Sequence, residues 1–154
     1  MKREYPTQPL IGVGALIITD GQILLVKRGA EPGKDRWSIP GGLVKVGETL
    51  QETVAREVKE ESNLDVEVHS LIDAVSNLEK DTKGNLRYHF VILDFFVKLK
   101  SRVLATGSDA LAAKWVPLDE VEKYDLTATF RDFFQRNREA LGQFDSAKRS
   151  DKVV

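Results

Sequence analysis

The stretch at residues 10–27 constrains the fold most. A nearly apolar run at 10–18 meets Thr19-Asp20-Gly21-Gln22, and a second apolar run follows to Lys27. Asp-Gly between two apolar runs is a hairpin signal, because the tightest turns need residues that tolerate positive φ. The spacing predicts strands at 11–18 and 22–27 joined as a hairpin. A hairpin excludes an all-parallel doubly wound sheet and favours a mixed sheet packed between helices. Lys2 and Arg3 ahead of the run have the look of a targeting signal. Glu4 interrupts that basic start and no small-residue cleavage site follows, so the run reads as structure. It is also far short of the roughly 20 residues that span a bilayer. The expectation is a soluble protein with no membrane partner.

The rest of the chain alternates strands with helices. Residues 29–36 form a polar loop, and Trp37-Ser38-Ile39-Pro40 a short strand ended by proline. Gly41-Gly42 and a loop to Gly47 follow. Leu50, Val54 and Val58 repeat at helical spacing, which predicts a helix at 49–62. Residues 65–79 read as strand, Lys83-Gly84 as a turn. The stretch at 85–100 reads as a strand with apolar residues on both faces, hence central in its sheet. A loop at 105–109 precedes a strand at 111–116, and a short helix is expected at 118–124. Thr127 is placed to cap a longer helix reaching Leu141, with Phe130, Phe133 and Phe134 on its buried side. Residues 146–154 are polar and read as a flexible tail. With 154 residues and no repeat or linker, the chain reads as a single domain spanning 1–154 with its core at 10–141.

Composition removes several classes of chemistry. Lys and Arg number 23 against 24 Asp and Glu, a net charge of -1. That balance argues against bulk nucleic-acid binding. With no cysteine there are no disulfides, thiolate metal sites or thiol nucleophiles, which fits a cytoplasmic setting. His69 and His89 alone make no His-rich zinc site.

The helix at 49–62 breaks local rules. With about 100° per residue and Val54 set at zero, Leu50 falls near 320° and Val58 near 40° (the apolar stripe). Glu57, Glu60 and Glu61 fall near 300°, 240° and 340°, on one arc of about 100°. Glu61 lies inside the apolar stripe. Like charges at these spacings repel, and the macrodipole disfavours negative charge at a helix C-terminus. A plain solvated face gains nothing from this. A divalent cation site does, and oxygen-only ligands suit Mg²⁺, with Mn²⁺ an alternative. Arg56 is placed to hold one of these carboxylates, or Glu48 from the preceding loop, through bidentate bonds. An ordinary pair with Glu52 is its other reading. Gly41-Gly42 lets backbone approach a ligand without side chains in the way.

Taken together, Gly42, five residues, Glu48, seven residues and then Arg56-Glu57-Val58-Lys59-Glu60-Glu61-Ser62-Asn63-Leu64 resembles the Nudix box. One specified position differs: Asn63 stands where the family has glycine. The family glycine closes the helix in a left-handed conformation, and Asn is the next-best residue there. Trp37-Ser38-Ile39-Pro40-Gly41-Gly42 and Trp115-Val116-Pro117-Leu118 resemble the family's flanking strands. The resemblance implies an α/β/α sandwich with a mixed β-sheet, and hydrolysis of nucleoside diphosphates linked to another group. It implies that Glu57, Glu60, Glu61 and the Gly41 carbonyl bind Mg²⁺. By the same resemblance Arg56 orients the glutamates and Glu48 supports the loop and helix.

The remaining site residues are less tightly specified. Asp109 is the candidate general base from outside the box, and its alternative is a turn-capping Asp. Arg28 is the candidate phosphate contact, with Lys27, Lys34 and Arg36 as neighbours of the same chemistry. Gly42 and His89 are further candidates for lining the substrate pocket. Arg87-Tyr88-His89 and Gly107-Ser108-Asp109-Ala110 look most like the ADP-ribose pyrophosphatase group, although the proline that often marks it is missing. The expected substrate is a small nucleotide, ADP-ribose or a related nucleoside diphosphate sugar. A housecleaning pyrophosphatase for oxidised nucleoside triphosphates is the alternative, and a ligand-binding module without catalysis a third reading. Relatives of this kind are often homodimers.

Overall fold

The apolar run at 10–18 serves two sheets instead of one hairpin. In the computed structural model, which describes residues 3–100 and 110–149, β1 (Leu10–Leu16) and β2 (Ile18–Thr19) part at Ile17. β2 alone forms the predicted hairpin, pairing Ile18 with Ile23 and Thr19 with Gln22 of β3 (Gln22–Arg28). Asp20 and Gly21 have φ of 52° and 74°. Positive φ at both central residues is the geometry of the tight hairpin turn. β1 turns away because its run is apolar on both sides. Val13, Ala15 and Ile17 enter one core cluster while Leu16 and Ile18 enter another, so no polar face holds the run to a single ladder.

The predicted mixed sheet is built as two four-stranded sheets. The first has the order β5 (Gly41–Leu43), β1, β7 (Leu86–Leu99), β6 (Val66–Lys80). β1 and β7 run parallel, from Leu10 opposite Phe90 to Leu16 opposite Phe96. β5 and β6 pair antiparallel with their neighbours. β7 is therefore interior, as its two apolar faces required. In the second sheet β3 pairs with β2, β4 (Trp37–Ser38) and β8 (Ala110–Pro117).

Helix α1 (Leu50–Ser62) covers one face of the first sheet, burying Val54 and Val58 with Phe95 and Val97. Its start is written in Thr49 and Glu52. The Thr49 hydroxyl accepts from the Glu52 N–H, and the Glu52 carboxylate accepts from the Thr49 N–H at 2.9 Å. Its end is Asn63, left-handed at φ 63°, whose N–H donates to the Lys59 carbonyl. Helix α2 (Ala128–Asn137) buries Phe130, Phe133 and Phe134 in the other core cluster, behind the Thr127 cap.

Two boundaries differ from expectation. α2 stops at Asn137 and tightens into 3₁₀ turns over Arg138–Phe144, which still bury Leu141. The short helix expected at 118–124 is a 3₁₀ helix over Leu118–Lys123. The tail expected to be loose from 146 opens with a helical turn, α3 (Ser146–Arg149). The Ser146 hydroxyl accepts from the Leu99 N–H, and buried Asp145 accepts from the N–H groups of Asp20 and Gly21. These bonds fasten the start of the tail to β7 and to the hairpin turn. Among the described residues no helix is long and apolar enough to cross a membrane.

Candidate active site

The two glycines after Pro40 bring β5 against both β1 and α1. A side chain on Gly41 would put Cβ 2.0 Å from the Val13 carbonyl oxygen. One on Gly42 would put Cβ 2.4 Å from the Glu57 carboxyl carbon. At Gly41 the obstacle is backbone and only hydrogen fits; at Gly42 it is the end of the Glu57 side chain. Glu61 is 7% exposed, and its carboxylate accepts the Gly41 N–H at 2.8 Å. The acidic residue inside the apolar stripe is therefore docked on the backbone of β5, which explains how a charge is tolerated there.

Arg56 organises the other carboxylates. Its Nε and Nη2 grip Glu48 at 2.6 and 2.9 Å, a bidentate pair. Nη1 reaches Glu57 at 2.8 Å and Glu60 at 3.3 Å. Glu52 is occupied in the helix cap, so the reading of Arg56 as its ordinary partner falls. Glu48 also accepts from the Lys45 N–H and the Thr53 hydroxyl. The Arg56 bond, then these donors, hold its carboxyl down to about 2. Arg56 is raised in turn, chiefly by Glu48. With Glu57 and Glu60 turned to Arg56 and Glu61 to Gly41, no group of three or more His, Cys, Asp or Glu among the described residues is arranged to hold a metal ion. The donor set is nevertheless all carboxylate oxygen, the kind that hard divalent cations take.

Gly41 and Gly42 also line a cavity of about 170 Å³. The α1 carboxylates are not among its lining residues; the glycine pair is the shared wall. Arg28 and Arg36 line it, whereas Lys27 and Lys34 do not. Arg28 donates from Nε to the Pro32 carbonyl at 2.7 Å. Burial lowers its pKa, and the nearness of Glu61 and Glu57 opposes that shift. The guanidinium thus sits in the field of two box carboxylates.

His89 does not join this site. Side chains alternate along a strand, and Phe90, Ile92 and Asp94 of β7 line the cavity, which leaves His89 on the opposite face. Asp109 lies outside the described residues. Two contributors escaped the sequence reading. Arg3 lines the cavity from the N-terminal segment, for which no pattern gave notice. Asp94 lies in its wall at 4% exposure, and an Asp inside Val91-Ile92-Leu93-Asp94-Phe95-Phe96 was a visible signal. Burial, then the neighbouring Asp73 charge, pushes its carboxyl up to about 7 against a smaller opposing effect of Arg136.

Comparison with known proteins bears out the fold class. A family model described as the NUDIX domain matches residues 8–136. An ADP-ribose pyrophosphatase of Methanocaldococcus jannaschii is 33% identical over 129 residues, 82% of this chain and 74% of that protein. The crystal structure of a MutT NUDIX hydrolase from Burkholderia pseudomallei superposes with a TM-score of 0.73 at 30% identity, covering 83% of this chain and 97% of that one. A MutT protein from Methanosarcina mazei Go1 gives 0.72 at 28% identity, with 87% and 97% covered.

Proposed function

The chain belongs to the Nudix family of hydrolases, and we propose that this pyrophosphohydrolase uses Mg²⁺ to split the diphosphate of ADP-ribose or a related nucleoside diphosphate sugar. The observation that carries the reading is the shared wall. Gly41-Gly42 docks Glu57 and Glu61 and lines a cavity that also holds Arg28 and Arg36. A diphosphate seated there meets cationic side chains in the cavity and carboxylates beyond its wall. The substrate class follows the relative named for ADP-ribose.

Glu57, Glu60, Glu61 and the Gly41 carbonyl are the residues that would hold the divalent ion. The chemistry such an ion supplies when bound is neutralisation of diphosphate oxygens and a lowered pKa for water. The chain's own part is positioning. Glu48 holds Arg56, and Arg56 holds Glu57 and Glu60, so the carboxylates are restrained before substrate arrives. Arg28 and Arg36 draw the diphosphate into the cavity. Asp109 is our candidate for the group that takes the proton from water. Water's oxygen bonds to one phosphorus, the bridging oxygen leaves with the other, and AMP and ribose phosphate result.

Glu61→Gln tests the reading, since it keeps shape and removes charge. Turnover of ADP-ribose with Mg²⁺ should fall at least roughly 100-fold, about 2.7 kcal/mol of barrier, with the melting curve retained. Wild-type turnover in that variant would sink the assignment. Pyrophosphate release from a nucleoside triphosphate by the wild type, with ADP-ribose untouched, would move the protein to the housecleaning reading.

A further inference from the structure

Asp94 has no role in the chemistry above, yet it is the most conspicuous polar group in the cavity. It sits on an interior strand among apolar neighbours, 4% exposed. Among the described residues its carboxyl takes part in no hydrogen bond or ion pair. Its neighbour across the strand pair, Asp73, is by contrast well served, by Arg136 at 3.0 Å and the Asn137 amide at 2.9 Å. Buried polar groups in folded proteins are nearly always hydrogen-bonded; the Asp94 oxygens are left to what the cavity holds, whereas Thr19 Oγ1 is the fully enclosed side-chain atom without a partner among the described residues.

The fold makes room for this carboxyl. Gly14 lies beside Asp94 in the parallel register, and a Cβ there would fall 2.2 Å from Asp94 Oδ1. Gly12 leaves the same kind of space beside Ile92. This part of the cavity wall is thus two side-chain-free residues next to a carboxyl, and Ile39, Phe90 and Phe130 line the same cavity. Apolar lining beside an acceptor with no protein partner suits a ligand with flat faces and a polar edge.

We propose that Asp94 is a specificity-determining residue whose carboxyl takes a hydrogen-bond donor of the bound nucleoside, either an exocyclic amine of the base or a hydroxyl of its ribose. The proposal rests on the nucleotide-hydrolase reading for its ligand class, and it assigns Asp94 no part in the chemical step. A site built around a hydrogen bond rejects ligands that lack the group, because the buried partner is then left unpaired.

Equilibrium binding separates this proposal from the hydrolase reading. The full chain, in chelator so that nothing turns over, is titrated calorimetrically with ADP-ribose, its hypoxanthine analogue and its 2′-deoxyadenosine analogue. The hypoxanthine analogue carries an oxygen where adenine has its amine. Hydrogen bonds to charged groups correspond to roughly 10–100-fold in affinity. Wild type should therefore bind one analogue at least roughly tenfold more weakly than ADP-ribose. Asp94→Leu, which removes a buried ionisable group and should not lower the melting temperature, is expected to erase that difference by weakening ADP-ribose alone. If the hypoxanthine analogue is the disfavoured one, the donor is the amine, and Asp94→Asn should improve its binding by offering an N–H to the oxygen. If the deoxy analogue is disfavoured, the donor is the hydroxyl.

Unchanged affinities in Asp94→Leu, or equal losses on all three ligands, overturn the proposal; continued hydrolysis of ADP-ribose with Mg²⁺ would then leave the hydrolase reading standing. Discrimination that depends on Asp94 in a protein that hydrolyses none of the three would do the reverse. Absence of binding by every ligand would overturn the proposal, and absence of turnover with Mg²⁺ as well would overturn both.

Discussion

Gly41 and Gly42 are adjacent, and each excludes a side chain for a different reason. At Gly41 the obstacle is backbone, the Val13 carbonyl, which has nowhere to go. At Gly42 it is the end of the Glu57 side chain, which can swing aside. Gly41→Ala should therefore destabilise the fold, by about 1–3 kcal/mol. Gly42→Ala should change stability by less than about 1 kcal/mol and lower turnover instead, because Glu57 loses its seat. Chemical denaturation alongside rates on ADP-ribose checks both variants. Equal stability losses in the two would contradict the picture. The sequence already disclosed the residues of the box, since each stands at a fixed spacing. Helix geometry alone left Arg56 open between the carboxylates of Glu48, Glu57, Glu60 and Glu61 and an ordinary pair with Glu52. That choice depends on Glu52 being drawn into the helix cap, a local competition visible only once the cap is formed.

At the scale of elements, periodicity located strands and helices but not always their partners. α1 was legible from its apolar spacing, and both ends have identifiable chemical causes in Thr49 and Asn63. The hairpin was half legible. Asp20-Gly21 marks the turn, but an unbroken apolar run carries no signal for the point where β1 leaves one sheet for another. His89 was misassigned because its strand is apolar on both faces, so alternation alone does not say which face lines the cavity. Asp94, on the other face, carries a consequence for the pair β6 and β7. Burial and Asp73 raise its carboxyl to about 7, above the ordinary 3.8 of the unfolded chain, while Arg136 opposes the shift. Between those values the folded protein holds a proton that the unfolded chain has released. Stability from this group is therefore fully present below about pH 4, falls as pH rises toward 7, and is level above. The whole effect is about 4 kcal/mol. Urea unfolding at pH 5 and pH 8 should show Asp94→Asn gaining on wild type at the higher pH. Parallel stabilities at the two values would contradict the buried carboxyl.

Across the whole molecule, an almost neutral chain concentrates opposite charges on two sides of one short strand. The net charge of -1 conceals a cavity with Arg3, Arg28 and Arg36 in its lining and a helix carrying Glu57, Glu60 and Glu61 beside it. The two core clusters hold these parts together. One fixes α1 against the first sheet, and the other fixes α2 and the second sheet around the cavity. Substrate identity was the least legible property, because the cavity is lined from β1, β3, β5, β7 and α2, which no single motif spans. The direct measurement is phosphorus NMR of ADP-ribose incubated with the full chain and Mg²⁺ in oxygen-18 water. The account predicts AMP and ribose phosphate, with the heavy oxygen on one of the two products. No turnover of ADP-ribose or other nucleotide sugars with either Mg²⁺ or Mn²⁺ would contradict it.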